Sequence, residues 1–393
     1  MRPILALLLL TAIPALAQPV KFDIPRTHQF RMDEIQPSME LRVTHLEAPD
    51  EFAKATQLNA MKAQHAERFG TASDADAPRS QKTMAAAPLV RHDLSMKRVF
   101  AVNGVQVPIS GGTPNDNTIA YGDSMVLSAV NTLIWGWDLR TDTFLFPQQF
   151  IPLIAASGLQ TSSYASDPRL LYDPVAERWV LLFFVGNTPA SSQIVVCFSQ
   201  SKDPNAGWNT YTLPGNPLSN NRWSDFPSMA FTDDKLVMSI NLIVPNVSWQ
   251  VGFDGTVIWE MDKAAGYAGA TTLPSELHHG FATNGRWIRN LVAVTSWDGY
   301  TSKPMWASNR NFDAQNDTVF FLTRSDSAVG GTHSYIHVVR ASQPYGLPPN
   351  GRQPSTPATD PTKGMQTNDG RWLGAQEMPD GSVHLVSTTR DFT

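Results

Sequence analysis

The sequence predicts an all-β fold, a β-propeller of about five to six four-stranded blades preceded by a short helical N-terminal arm. Three observations carry that prediction. One phrase recurs, in which an acidic residue precedes an apolar run, a turn and a second apolar run. It reads Asp225-Phe-Pro-Ser-Met-Ala-Phe-Thr-Asp-Asp-Lys-Leu-Val-Met-Ser-Ile-Asn241 in one copy and Asp167-Pro-Arg-Leu-Leu-Tyr-Asp-Pro-Val-Ala-Glu-Arg-Trp-Val-Leu-Leu-Phe-Phe184 in another. The copies return at a spacing of roughly 50 to 60 residues, which is the scale of one propeller blade. The clearest unit also holds four short apolar segments divided by Asp, Pro, Asn and Gly turns, as a four-stranded blade requires.

Taken in order, Met1 to Ala17 has a basic start, a short apolar core and an Ala15-x-Ala17 ending. That is the pattern of a secretory signal peptide cleaved after Ala17, and it places the mature chain in the periplasm or outside the cell. Residues 18–87 form a separate region of arm and linker. Pro49 to Phe69 is rich in Ala, Lys, Gln, Glu and Met, and reads as one helix followed by Gly70. Thr71 to Ala87 is rich in Ala, Ser, Asp and Pro and reads as a linker. A pro-segment, a spacer and an unstructured arm all share this composition.

The propeller is assigned to residues 88–393. Its second unit runs through Arg169–Tyr172, Arg178–Val185, Gln193–Phe198 and Gly207–Leu213. The third gives Pro227–Phe231, Lys235–Val244 and Gly255–Met261. Thr283-Asn-Gly-Arg-Trp-Ile288 echoes Thr367-Asn-Asp-Gly-Arg-Trp-Leu373, and so marks the starts of a fourth and a fifth unit. Gln343 to Lys363 is Pro-rich and reads as a surface loop. The anchors are then Asp116, Asp167, Asp225, Asn284 and Asp369, with only two strands written in the last unit. Either residues 96–109 return to complete that blade or the natural chain continues past Thr393.

Composition narrows the function classes. The chain of 393 residues carries a net charge of −5 and no dense basic run, which argues against nucleic acid or an anionic membrane as partner. No segment after the leader is long and apolar enough to span a bilayer, so a monomer outside the cytoplasm is expected. Cys197 is the single cysteine and lies in an apolar strand pattern, so it reads as a core thiol.

Ile194-Val-Val-Cys-Phe-Ser-Gln-Ser-Lys-Asp-Pro-Asn-Ala-Gly-Trp-Asn-Thr-Tyr-Thr-Leu-Pro-Gly-Asn-Pro217 and Trp223-Ser-Asp-Phe-Pro-Ser-Met-Ala-Phe-Thr232 resemble a group of secreted bacterial β-propeller proteins. The resemblance covers about Asp116 to the end and implies an exported propeller. It implies no activity, and no catalytic residue is carried over from it.

In a propeller, equivalent positions of successive blades form a ring about the axis. Asp116, Asp167, Asp225, Asn284 and Asp369 are therefore the candidate ligand-binding residues at one channel mouth, with Trp223 beside them to stack on a sugar. Clustered oxygens suit Ca²⁺, with Asp167 and Asp225 as candidate ligands, and they equally suit a polyhydroxylated ligand. The opposing reading is that each Asp caps its own turn. Trp297 and Trp306 are further stacking candidates, and Glu276-Leu-His278-His279 holds the single adjacent histidine pair. No nucleophile elbow, phosphate loop or dinucleotide fingerprint occurs. The sequence alone favours a non-catalytic recognition or scaffold module working through the mouth. A secreted hydrolase of a glycan or other polymer is the alternative, and catalytic residues are not assigned.

Overall fold

In the computed structural model, the described residues are 19–35, 50–69 and, with interruptions of which 352–366 is the longest, 101–390. The leader Met1–Ala17, the linker 71–87 and the later part of the Pro-rich segment lie outside them.

The chain opens with β1 (Val20–Arg31), followed by a 3₁₀ turn at Met32–Glu34, and then helix α1 (Asp50–Phe69). The helix matches its predicted bounds, but β1 corrects the expectation of a purely helical arm. Phe22, Ile24 and Phe30 alternate with polar neighbours at period two, which is strand spacing. Two residue pairs, β2 (Ala101–Val102) and β3 (Val105–Gln106), bond only to each other among the described strands.

Five sheets follow, one for each repeat unit. The first holds β4 (Thr118–Gly122), β5 (Met125–Val130), β6 (Leu133–Asp138) and β7 (Thr143–Gln149) in sequential order. The second is β8 (Ala165–Asp173), β9 (Arg178–Val185), β10 (Gln193–Ser199) and β11 (Gly207–Pro214). The third is β12 (Trp223–Phe231), β13 (Lys235–Ile243), β14 (Phe253–Asp262) and, after helix α2 (Lys263–Ala268), β15 (Thr272–His278). A small hairpin of β16 (Ala282–Thr283) and β17 (Arg286–Trp287) precedes the fourth sheet. That sheet takes β18 (Val292–Ala293), β20 (Met305–Asn309), β21 (Asn316–Ser327) and β22 (Gly331–Tyr345), while β19 (Thr295–Ser296) leaves it. The fifth pairs β23 (Trp372–Glu377) with β24 (Val383–Ser387), and β19 joins β23 in parallel.

The apolar runs drive this assembly. In β9 and β10 nearly every side chain is buried on both faces, because each central strand sits between two neighbouring sheets. Trp179, Trp208, Trp259 and Trp306 are fully buried, as is Cys197. The core position of Trp306 removes it from the stacking candidates. Tyr345 and Leu347 are also buried, so the Pro-rich segment starts inside the molecule and not as a surface loop.

β1 completes the frame. It bonds β11 along Arg26–Arg31 and β15 along Val20–Pro25. One strand thus covers the outer edges of the second and third blades and fuses them into a nine-stranded sheet. Free sheet edges invite further pairing, so closing two of them removes a liability.

Candidate functional site

The innermost strands β4, β8, β12, β18 and β23 all begin at the same mouth, and each is entered through a left-handed residue. These are Asp116 (φ 40°), Asp167 (φ 52°), Phe226 (φ 51°), Asn290 (φ 51°) and Asn368 (φ 56°). A bulge between Ser166 and Arg169 is matched by one between Asp225 and Ser228. Asp167-Pro168 therefore corresponds to Phe226-Pro227, one residue away from the register that the shared acidic residue suggests. Asn and Asp tolerate this backbone region, whereas a Phe there stores strain of about 1–3 kcal/mol.

Asn284 is not part of the ring. It occupies the turn of the β16–β17 hairpin with Gly285, both at positive φ, which is why its surrounding sequence mimics a blade start. Asn290 takes the equivalent place, and it is buried.

A second set of residues links neighbouring blades. Asn131, just after β5, donates to the Asp116 carboxylate at 2.8 Å and accepts from Asp167 N at 2.7 Å. Asn241 in β13 donates to Asn290 Oδ1 at 2.7 Å and accepts from Asn290 N at 2.9 Å. Asn309 at the end of β20 donates to Gly370 O at 2.6 Å. Sequence reasoning missed these three. The available signal was an Asn closing the second strand of several units, as in Ala129-Val-Asn131, Ser239-Ile-Asn241 and Ala307-Ser-Asn309.

Three of the predicted anchors come together. The carboxyl of Asp167 is hydrogen-bonded to those of both Asp116 and Asp225, which makes a chain of three. Asp116 and Asp167 keep part of their surface at the mouth, and Asp225 is buried. Burial, followed by the charge of Asp167, pushes Asp116 up to about 7. Burial and the neighbouring Asp225 likewise push Asp167 up to about 7. Asp167 Oδ2 also accepts from Phe226 N at 3.2 Å, which ties the second blade to the third.

Asp369 is the fourth acid and is buried against Arg371, whose Nη2 lies 2.5 Å from it. The Arg371 guanidinium stands 4.5 Å from the Phe226 ring centre and 5.3 Å from that of Phe253, and it also feels the charges of Asp225 and Asp167. Arg169 donates to the carbonyls of Pro227 and Pro168 beside the same acids. Two guanidiniums thus stand beside the acids, where they offset part of their charge. Trp223 opens β12 at the rim, half-buried, two residues before Asp225. Trp297 is 64% exposed after β19, on the opposite side of the ring.

Among the described residues, Glu260, Glu276 and His278 also present ligand atoms within 4.8 Å of one another. Lys235 lies 3.3 Å from Glu260, and Arg324 is paired with the same carboxylate. Burial and Arg324 push His278 down to about 3, so it is neutral. The two cations already occupy this group as a buried ion-pair cluster, and a metal would have to displace them.

Helix α1 is tied to the segment that leads into the fifth blade. Lys62 donates to Asn350 Oδ1 and Thr367 Oγ1, both at 2.8 Å, and Asn350 donates to Asn59 at 2.9 Å. Burial pushes the Lys62 ammonium down to about 8, partly offset by Asp369.

No protein-family model and no curated protein matches the sequence. Solved structures are similar over much of the chain. An exo-β-1,3-galactanase from Phanerochaete chrysosporium with galactose shares 12% identity at a TM-score of 0.34, over 61% of this chain and 52% of its own. An exo-β-1,3-galactanase from Clostridium thermocellum shares 9% at 0.34, over 75% and 61%. A putative exo-β-1,3-galactanase from Bifidobacterium bifidum shares 10% at 0.33, over 75% and 91%. The match spans about half the length of the first of these. The likeness is one of fold, to propeller-like glycoside hydrolases. The non-catalytic recognition or scaffold module expected from sequence finds no counterpart among these three, which are named as galactanases.

Proposed function

We propose that the protein is an exported hydrolase of a glycan, with Asp116, Asp167 and Asp225 as its acid–base machinery. The observation that carries this reading is the hydrogen-bonded carboxyl chain, two of whose members are pushed up to about 7. Glycoside hydrolysis needs one protonated and one ionised carboxyl, commonly about 5 to 10 Å apart. At neutral pH, Asp116 and Asp167 share a proton that passes to the leaving glycosidic oxygen. Asp225, whose charge the Arg371 guanidinium feels, is the base of this scheme and takes a proton from the attacking water, so water adds across the bond with no net change in protons. Asp167 tunes and positions both partners, and Trp223 supports a sugar ring at the rim.

The leader Met1–Ala17 supports a periplasmic or extracellular location for a monomer acting on a polymer. Among the described residues no helix is long and apolar enough to cross a membrane. The test is reducing-end release from a panel of neutral and acidic polysaccharides. Wild type should cleave at least one, and Asp116→Asn and Asp225→Asn should lower the rate by at least about 100-fold while melting within a few degrees of wild type. No release from any polymer, or variants as active as wild type, would overturn the assignment.

A further inference from the structure

The rim of the mouth beside the fourth blade has a different character from the carboxyl chain. The β16–β17 hairpin and the segment after β20 bring Arg286, Arg289 and Arg310 together, with Arg222 joining from the start of β12. Four guanidiniums there share two carboxylates, Asp254 and Asp313. Arg222 Nε lies 2.8 Å from Asp254, and Arg286 Nη2 lies 3.4 Å from Asp313. Arg289 is influenced by both acids. A basic patch on a chain of net charge −5 runs against the overall balance.

Arg310 is committed to the fold. It donates to Trp287 O at 3.0 Å and Thr283 Oγ1 at 3.1 Å, and its guanidinium lies 4.6 Å from the Phe320 ring centre. Its effect is to hold the hairpin upright. Trp287 then lies over the backbone of Gly255, where a Cβ would come within 3.9 Å of the indole, and 45% of its surface remains open. Arg286 beside it has 62% of its side chain exposed. Burial, then the charge of Arg286, lowers the proton affinity of both Arg289 and Arg310. Like charges held this close favour an anion between them.

Contacts connect this rim to the acids. Phe226 bonds to Asp167, Arg371 lies over Phe226 and Phe253, and Phe253 packs on Phe312 at 5.9 Å, next to Asp313. We propose that Trp287 and Arg286, backed by Arg289, form a subsite for an anionic sugar residue, so that the substrate is an acidic glycan. Indole faces stack on sugar rings, and a guanidinium fork matches a uronate carboxylate or a sulfate ester. This inference rests on the glycan-hydrolase reading for its substrate but not for its binding.

The experiment is retardation of the full chain in gels containing polygalacturonate, a sulfated galactan or a neutral galactan, run beside the cleavage assay. Retention by one or both acidic polymers at least about tenfold stronger than by the neutral one supports the subsite, and whichever acidic polymer is preferred separates carboxylate from sulfate. Arg286→Ala and Trp287→Ala, both exposed positions, should each weaken that retention about tenfold, and Arg286→Lys should restore part of it. Equal retention by neutral and acidic polymers, or unchanged binding in both alanine variants, would overturn the subsite. Binding of an acidic polymer without cleavage of any polymer keeps the subsite and rejects the hydrolase. Cleavage of the neutral galactan alone, with no acidic binding, does the reverse.

Discussion

Strand β8 carries a buried or partly buried acid at each end, and the two behave oppositely. Asp167 stands at the mouth among other carboxyls and is pushed up. Asp173 stands at the far end, fully buried. It accepts from Ala176 N at 2.9 Å, Val175 N at 3.1 Å, Tyr267 at 2.9 Å and Tyr300, with Lys263 Nζ at 3.2 Å. Burial alone would raise Asp173, but the Ala176 N–H, the Tyr300 hydroxyl and the Lys263 ammonium outweigh it and hold it low. The same residue type on one strand is therefore a structural pin at one end and a proton store at the other. What decides between them is the supply of donors, since Asp173 has a full set and Asp167 has competing acids.

The largest expected effect breaks this contrast at the pinned end. Asp173→Ala leaves the Lys263 ammonium buried without its carboxylate, and should cost about 3–5 kcal/mol in urea unfolding. Asp167→Asn should change stability by less than about 1 kcal/mol while abolishing hydrolysis, because an amide oxygen can still accept from Phe226 N and one like charge is removed. If the two variants were equally destabilised, the mouth acids would be pins as well.

Stability against pH sharpens the comparison. Asp116 and Asp167 bind protons more tightly folded than unfolded, so their contribution is full below pH about 4 and is lost as pH rises toward about 7. Asp173 has the opposite sign, with its contribution present above pH about 4 and lost as acid protonates the folded state. Asp167→Asn should flatten the decline between pH 4 and 7, and Asp173→Asn should flatten the acid limb. Melting temperatures across that range are the measurement. The smallest effect concerns calcium: with Arg371 and Arg169 beside the acids, chelation should move the melting temperature by less than about 1 °C.

Much of this arrangement was legible in the sequence. The strands Arg178–Val185 and Gln193–Ser199 were visible because both faces are apolar and both ends carry turn residues. The convergence of Asp116, Asp167 and Asp225 followed from repeat position alone. The one-residue offset at Asp225 was not visible, because the bulge is set by left-handed φ before proline and not by the acid. Asn284 misled because a Thr-Asn-Gly-Arg-Trp turn serves a hairpin as well as a blade start. Strand β1 was hidden by distance, since its partners Gly207–Tyr211 and Thr272–Leu277 lie some two hundred residues away. The pinning of Asp173 by Lys263, Tyr267 and Tyr300 depends on three elements that no local pattern joins.

The placement of β1 also has a consequence in time. It is the first ordered strand to leave the ribosome, yet half of its partners are at Thr272–Leu277, about 250 residues later. At roughly 5–20 residues per second, that is an interval of about 10 to 50 seconds during which Phe22 and Ile24 have no edge to cover. The earliest strand thus docks fully only once the third blade is complete, through a contact of very long sequence separation. Chains halted before residue 270 should stay sensitive to protease within residues 20–25, and full-length chains should not.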